Sequence, residues 1–448
     1  MSLPILLRGL GALAITAIVV GGASAQQTRP IPSPSTAVTI DLPTVLDRAG
    51  ANSIDLALAR EAVAQAKASD LQATMKLFPY LTLGGQYYDH GGGVANVNGV
   101  VIDADKSLST LSATITAQID LGNAIGGKMI AEERQVGAKA RLDAQRGTTI
   151  RNAALAYFEL AGSGAEVGVL RDAVRTSEDY QAQLGRAVDL GLAARSEAIR
   201  AEVEVQTNKI ALRQAEERAA RASAALSELL RSTPGVALAP GDDAQIPVRL
   251  VPENLSLDDM IAKAMESRPE LAQSRSDMKA ADLSHSTAVY GPLLPTVTAQ
   301  YGQGRLRGGP DGFPSITDNS DDAQVLFTWR VGPGGLFDFG RIDEAESLLR
   351  QSKLLDAKVR DAIGREVVES REGLRSAQDQ MELARSNVES ATRNLELSQQ
   401  RRDFGFAAVL ETITAQQQLV AARRAYIQAV TQHNRAQYSL ARAIALID

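Results

Sequence analysis

The chain has 448 residues, a net charge of −6 and no cysteine, which excludes disulfides, thiolate metal sites, cysteine nucleophiles and a lipid on an N-terminal cysteine. Charges of both signs are interspersed rather than gathered into a basic patch, so nucleic acid is not expected as a partner. It is 44% hydrophobic but only 4% aromatic, an alanine-rich composition that suits long, closely packed helices.

In chain order, residues 1–25 read as a signal peptide. Arg8 supplies the positive n-region, Leu10 to Val20 the apolar run, and Ala23-Ser24-Ala25 the small-residue cleavage site. The run is too short for a membrane anchor. A Pro-rich linker, 26–39, follows.

The chain then repeats itself. The segment "IDLPTVLDRAGANSIDLALARE" from Ile40 matches "LSLDDMIAKAMESRPELAQSRSD" from Leu255. Leu42 falls on Leu257, Leu46 on Ile261, Leu56 on Leu271 and Pro79 on Pro295. This duplication divides the chain into a first repeat, 40–234, an inter-repeat linker, 235–254, and a second repeat, 255–448. Each repeat reads as helix, strand, loop, strand, very long helix, tight turn, long helix.

Strands are expected near 80–88 and 110–120, and near 296–302 and 323–331. In the first repeat Ala113, Ile115 and Ala117 alternate with Thr114, Thr116 and Gln118. In the second, Val325, Phe327 and Trp329 alternate with Gln324, Thr328 and Arg330, Leu326 being the exception. Period two over ten residues makes a two-faced strand of the length a tilted strand needs to cross a bilayer. Ile115, Ala117, Val325, Phe327 and Trp329 would face lipid, and Thr114, Thr116, Gln118, Thr328 and Arg330 the lumen. Most aromatic residues, including the sole tryptophan, Trp329, cluster around these strands. An interfacial girdle explains this, and so does the core of a small β-domain. The loops 89–106 and 302–322 are long and polar. Glycines at 122–128 and 331–341 are expected to give a sharp path from strand into helix.

Helical hairpins are expected over 129–231 and 342–448. A helix over 129–189 would be about 92 Å long, more than one globular domain can cover, so its apolar stripe must meet other rods. In the last helix Ala408, Ala415, Ala422, Ala429, Ala436 and Ala443 recur every seven residues. Leu419, Tyr426, His433, Leu440 and Ile447 form a second seam, giving a left-handed coiled coil with His433 as a packing residue. Gly191 and Gly405 suit the left-handed position that ends a helix.

No catalytic constellation accompanies this pattern. The histidines, His90, His285 and His433, are not at metal-ligand spacing, and phosphate-loop, nucleophile-elbow and zincin motifs are missing from the sequence. No enzyme activity and no cofactor are expected. Four strands cannot close a barrel, and open edges are not tolerated in lipid, so the chain must pool strands with copies of itself.

The duplicated order, the proline strand "FPYLTLGGQY", "FDFGR" after the fourth strand and the turn "RRDFGFAAVLETITAQQQLVAARRAYIQAVTQHNRAQYSLARA" together resemble the TolC-like outer-membrane factor family over nearly the whole mature chain. The resemblance implies a homotrimer in the Gram-negative outer membrane. Its mainly α fold would join a 12-stranded β-barrel to a 12-helix coiled-coil α-barrel in the periplasm. It implies export with a periplasmic adaptor (membrane fusion) protein and an inner-membrane RND, MFS or ABC transporter, in efflux or type I secretion. It also implies a periplasmic gate at the helix turns. Asp189, Glu197, Arg401, Arg402, Asp403 and Glu411 are the gate candidates. Gly191, Leu192, Gly405 and Phe406 are the adaptor-contacting candidates. Thr414 stands where the family has a second acid. The alternative is a periplasmic or surface coiled-coil structural or adhesive protein with a small β-domain.

Overall fold

The computed structural model describes residues 38–447 apart from 96–97, 104, 234, 242–245, 253, 311–312 and 404–408. The expected signal peptide, most of the Pro-rich linker and the turn bearing Gly405 and Phe406 lie outside the described residues, as do the side chains of Asp403 and Val409.

The first repeat opens with strand β1 (Val38–Ile40), helix α1 (Leu42–Asn52) and helix α2 (Ile54–Met75). Asp41 caps α1 by accepting from the Thr44 amide, and Pro43 sits in the first turn, where its missing N–H costs nothing. Strand β2 (Tyr80–His90) follows, then a small hairpin, β3 (Gly93–Ala95) and β4 (Val101–Asp103), and then β5 (Lys106–Asp120). Helix α3 (Leu121–Asp189) has 69 residues, about 100 Å of rod, and α4 (Arg195–Leu229) returns along it.

The linker carries β6 (Leu238–Pro240), paired in parallel with β1. The second repeat has α5 (Leu257–Ser267), capped by Ser256, and α6 (Pro269–Tyr290), again begun by a proline. A 3-10 turn, Gly291–Leu293, leads to β7 (Thr296–Pro310) and β8 (Ile316–Thr328). Helices α7 (Phe339–Asp403) and α8 (Val409–Ala443) complete it.

Helix α3 is the spine. Near the sheet it packs against α2 and α6, and further along against α4 and α8. Two apolar cores lie where the short helices cross the long ones. One joins Val45 and Ala49 of α1 to Tyr157, Phe158, Leu226 and Tyr438, and the other joins Met260 and Ala264 of α5 to Ile363, Val367, Leu440 and Ile444. The alanine seam of α8 is buried at Ala415, Ala422, Ala429, Ala436 and Ala443, as its heptad spacing requires. Gly162 of α3 faces Thr431 of α8 so closely that a methyl group there would collide with the threonine hydroxyl. Among the described residues no helix is long and apolar enough to cross a membrane.

Three expectations change. The glycines after β5 make no sharp turn. Asp120 ends β5 and caps α3 at the next residue, so the helix starts at Leu121 rather than near 129. Gly122 and Gly126 are helical and lie against Gly291 and Thr287, where close approach of the α6 end leaves no room for a side chain. The sharp path appears only in the second repeat, where Gly332 and Gly334 take φ of 101° and 75°. Finally, β8 runs over Ile316–Thr328 and not 323–331. Its partner β7 begins at Thr296 after Pro295, which has no N–H, so Trp329 and Arg330 lie past the end of the ladder.

Candidate functional site

The four long strands form one antiparallel sheet in the order β2-β5-β7-β8. The register fixes which side chains share a face, because residues directly opposite point the same way. Thr116 lies between Tyr80 and Gln300, Thr114 between Thr82 and Gly302, and Gln118 opposite Thr298. Thr328 is opposite Thr296, which in turn pairs with Asp120. These polar residues therefore line one face together.

Ile115 lies between Leu81 and Tyr301, Ala117 opposite Ala299 and so beside Val325, and Ile119 opposite Val297 and so beside Phe327. This second face is apolar and bare: Leu83, Leu111 and Val325 are 75%, 72% and 65% exposed. Its upper edge climbs across the sheet. The outermost apolar residue is Ala323 on β8 and Tyr301 on β7, both in the row of Ile115. On β5 it is Leu111, and on β2 it is Tyr87 in the row of Ser109. Beyond that edge come Gln303, Arg305, Asn319 and Asp321. A flat apolar band crosses hydrogen-bonded rows on a slant when strands are tilted, the geometry of a barrel wall. Trp329, past the end of β8, donates its indole N–H to the Leu293 carbonyl at 3.3 Å. Arg330 packs on Gly334 and Gly335.

At the far end of the molecule α3 stops in a left-handed turn. Gly191 has φ of 73°, its amide bonds to the Val188 carbonyl, and the Leu192 amide reaches back to Ala187. Leu190 and Leu192 project into solvent. Helix α4 restarts at Arg195 with Glu197 in its first turn, where the helix dipole favours an acid. In the second hairpin Arg401 of α7 pairs with Glu411 of α8 at 2.9 Å, clamping the two helices together. Arg402 lies over the ring of Tyr180, 5.6 Å from its centroid, a cation–π contact between α7 and α3. Tyr180 packs with Leu184, Ala201 and Ile413. Gln417 donates to Glu204, joining α8 to α4. The structure thus brings Arg401, Arg402 and Glu411 into one tip region.

Two polar arrangements escaped the sequence reading. Arg268, buried at the start of α6, holds Glu270 with two nitrogens at 2.9 Å and Glu366 at 2.9 Å, and donates to the Ala443 carbonyl. Arg442 reaches the same Glu270. Burial pushes the Glu270 carboxyl up, but the hydrogen bond from Arg268 and the charge of Arg442 outweigh it and hold it below the usual carboxylate range. In the second arrangement α8 straps down the linker. His433, Asn434 and Gln437 bond the backbone of Ile246, Val248, Leu250 and Val251. His433 is buried as the heptad predicted, and burial lowers its pKa, with the Val248 carbonyl opposing and Arg249 assisting. Among the described residues no cluster of histidines and acids could hold a metal ion.

A comparison against curated protein sequences gives no match. Solved structures match over most of the chain. A membrane protein from Pseudomonas aeruginosa superposes with a TM-score of 0.77 at 17% identity, covering 92% of this chain and 91% of that one. CusC, described in terms of folding and transmembrane channel formation, superposes with a TM-score of 0.73 at 17% identity, covering 93% and 95%. The outer membrane protein VceC from Vibrio cholerae gives 0.72 at 16% identity, covering 90% and 95%. At such identities these likenesses establish the fold, a helical tunnel with a β part. The family model for outer membrane efflux proteins matches residues 45–230 and 260–446, one segment in each repeat. The chain belongs to the outer membrane efflux protein family, the TolC-like channels of the bacterial outer membrane.

Proposed function

We propose that three copies of the chain close into a 12-stranded barrel continuous with a 12-helix tunnel. Substrates from the periplasm, or from an inner-membrane pump, would leave passively through it. The observation that carries this reading is the sheet itself: four strands, two unpaired edges, and a slanting apolar band on one face. An edge buried in lipid costs several kcal/mol for each unpaired backbone group. In the meander β2 and β8 run in opposite directions, so β8 of one copy meets β2 of the next as a proper antiparallel pair. Ile115, Ala117, Val325, Phe327 and Trp329 then face lipid. Thr114, Thr116, Gln118, Thr328 and Arg330 face the lumen.

The sequence carries no nucleotide-binding motif, so energy comes from a partner: an inner-membrane RND, MFS or ABC transporter reached through a periplasmic adaptor. Gly191, Leu192, Gly405 and Phe406 form the adaptor-contacting turns, a reading supported by the exposed apolar tip at Leu190 and Leu192. Asp189, Glu197, Arg401, Arg402, Asp403 and Glu411 form the gate. Its support is the Arg401–Glu411 pair, which ties together the two helices flanking the second turn.

The test of assembly is mass measurement and crosslinking of protein extracted from outer membranes in detergent. A trimer is expected, and a water-soluble monomer with intact strands overturns the reading. For the gate, planar-bilayer recordings of Glu411→Gln should show lower cation selectivity. Arg401→Ala should raise resting conductance. Unchanged behaviour in both places the gate elsewhere.

A further inference from the structure

The duplication specifies how one copy joins the next, residue by residue. Tyr80 and Thr296 occupy the same place in the two repeats, each following a proline, Pro79 or Pro295. Opposite Tyr80 is Thr116, and opposite Thr296 is Thr328, so Thr116 and Thr328 are also equivalent. The β5–β7 ladder joins the second strand of one repeat to the first strand of the other, and it sets Thr116 opposite Gln300. Gln300 lies four residues after Thr296, and its equivalent is Gly84, four after Tyr80.

We infer that β8 pairs with β2 of a second copy in the register that sets Thr328 opposite Gly84 of that copy, so that both junctions of the ring are alike. This rests on the proposed closure by copies and adds its register. In it Phe327 meets Gly85, Val325 meets Tyr87, Trp329 meets Leu83 and Val331 meets Leu81.

Four features of the single chain agree with this register. The parity is right: even-numbered residues of β8 and β2 lie on the polar face, and the register joins even to even. A shift of one residue would set Phe327 and Val325 on the face of Thr82 and Gln86. The apolar bands meet, Val325 to Val331 lying beside Leu81 to Tyr87, with Ala323 alone set against a polar residue, Asp89. The band residues are bare in the single chain, with Tyr87 71%, Val331 68% and Phe327 58% exposed. The glycine pair Gly84-Gly85 on the free edge leaves space beside Phe327, an aromatic ring covering an edge glycine. On the polar face His90, whose Nε2 has no hydrogen-bond partner within the described residues, comes opposite Asp322.

The register also accounts for Trp329, Arg330 and Val331. Their alternation is that of a strand, yet β8 stops at Thr328 because β7 has no residue left to pair with them. In the joined sheet Leu83, Thr82 and Leu81 of the neighbour are that partner, and Gly332, with φ of 101°, ends the strand.

The chain has no cysteine, so introduced pairs report cleanly. The test exposes Tyr87→Cys with Val325→Cys, and separately Tyr88→Cys with Gln324→Cys, to an oxidant in native outer membranes. Adjacent rows of an antiparallel ladder alternate between wide and narrow, so one of the two pairs has the narrow spacing a disulfide needs. Register-shifted controls combine Tyr87→Cys with Ala323→Cys or with Phe327→Cys. The expected result is that at least one matched pair converts most of the protein into a covalently closed oligomer, with little product from either control. A dominant product from a shifted pair overturns the register while leaving closure by copies intact. No product from any pair, together with a monomeric mass in detergent, overturns both. No product from any pair on a protein of oligomeric mass overturns the β8–β2 junction alone.

Discussion

At the residue scale the decisive positions are those where two helices or two strands come too close for any other side chain. Gly122 is one: a methyl group there would strike the backbone of Gly291, which is less able to yield than a flexible side chain. Gly122→Ala should therefore cost about 1–3 kcal/mol through overpacking. Gly127, five residues further on and with open space around it, should gain up to about 1 kcal/mol from the same change through helix propensity. Thermal unfolding followed by helical circular dichroism separates the two signs. In sequence both read as part of one corner between strand and helix; only the neighbour at Gly291 distinguishes them. Similarly, Glu411 was legible as a tip acid, but its partner Arg401 lies on the other side of the turn, and nothing in local spacing identifies it.

At the element scale, alternation carried most of the information. The two faces of β5 expected from its sequence are the two faces in the sheet, because side-chain period two holds wherever the strand is paired. The prediction belonging to this scale is a pair of arginines. Ile115→Arg should cost about 2–4 kcal/mol near the bilayer midplane, whereas Thr116→Arg, one residue on, should be far milder. Unfolding from detergent or bilayer by denaturant measures the difference, and equal costs would show that the faces are not lipid and lumen. The extent of each strand was less legible. Polar alternation at Lys106–Thr110 and Leu306–Pro310 gives no apolar signal, so those outer extensions are seen only as ladders. The linker strap was invisible for a similar reason. His433, Asn434 and Gln437 read as a heptad seam and its flanks, and their bonds run to a segment almost two hundred residues away.

At the scale of the whole molecule, Arg268 and Arg442 share Glu270, joining the start of α6 to the end of α8 within the second repeat, and Arg442 also donates to the Ala144 carbonyl of α3 and so ties that cluster to the first repeat. Arg268 also holds Glu366 of α7. Glu270 titrates below its ordinary value of 4.5 in the folded chain. A depressed carboxyl binds its proton less readily when folded than when unfolded. Its contribution is thus present above pH 4.5 and is lost as the pH falls below 4.5 through the lowered value. Stability should fall steeply in that window, and Glu270→Gln should flatten the fall while lowering stability at neutral pH. Unfolding midpoints measured from pH 7 down to pH 3 for both proteins test this. An unchanged slope in the variant would assign acid sensitivity to other carboxylates.

What the sequence determined by itself was everything periodic: the duplication, the seven-residue alanine seam, the two-faced strands and the glycine that ends α3. Each of these depends on residues near one another along the chain, and periodicity states which face an element must bury. The tertiary structure decided what lies against that face. It set the order β2-β5-β7-β8, the row in which Thr116 meets Gln300, the end of β8 at Thr328, and the meeting of Arg268 with Glu366 across 98 positions. These are pairings between distant segments, and a pattern within one segment holds no record of its partner.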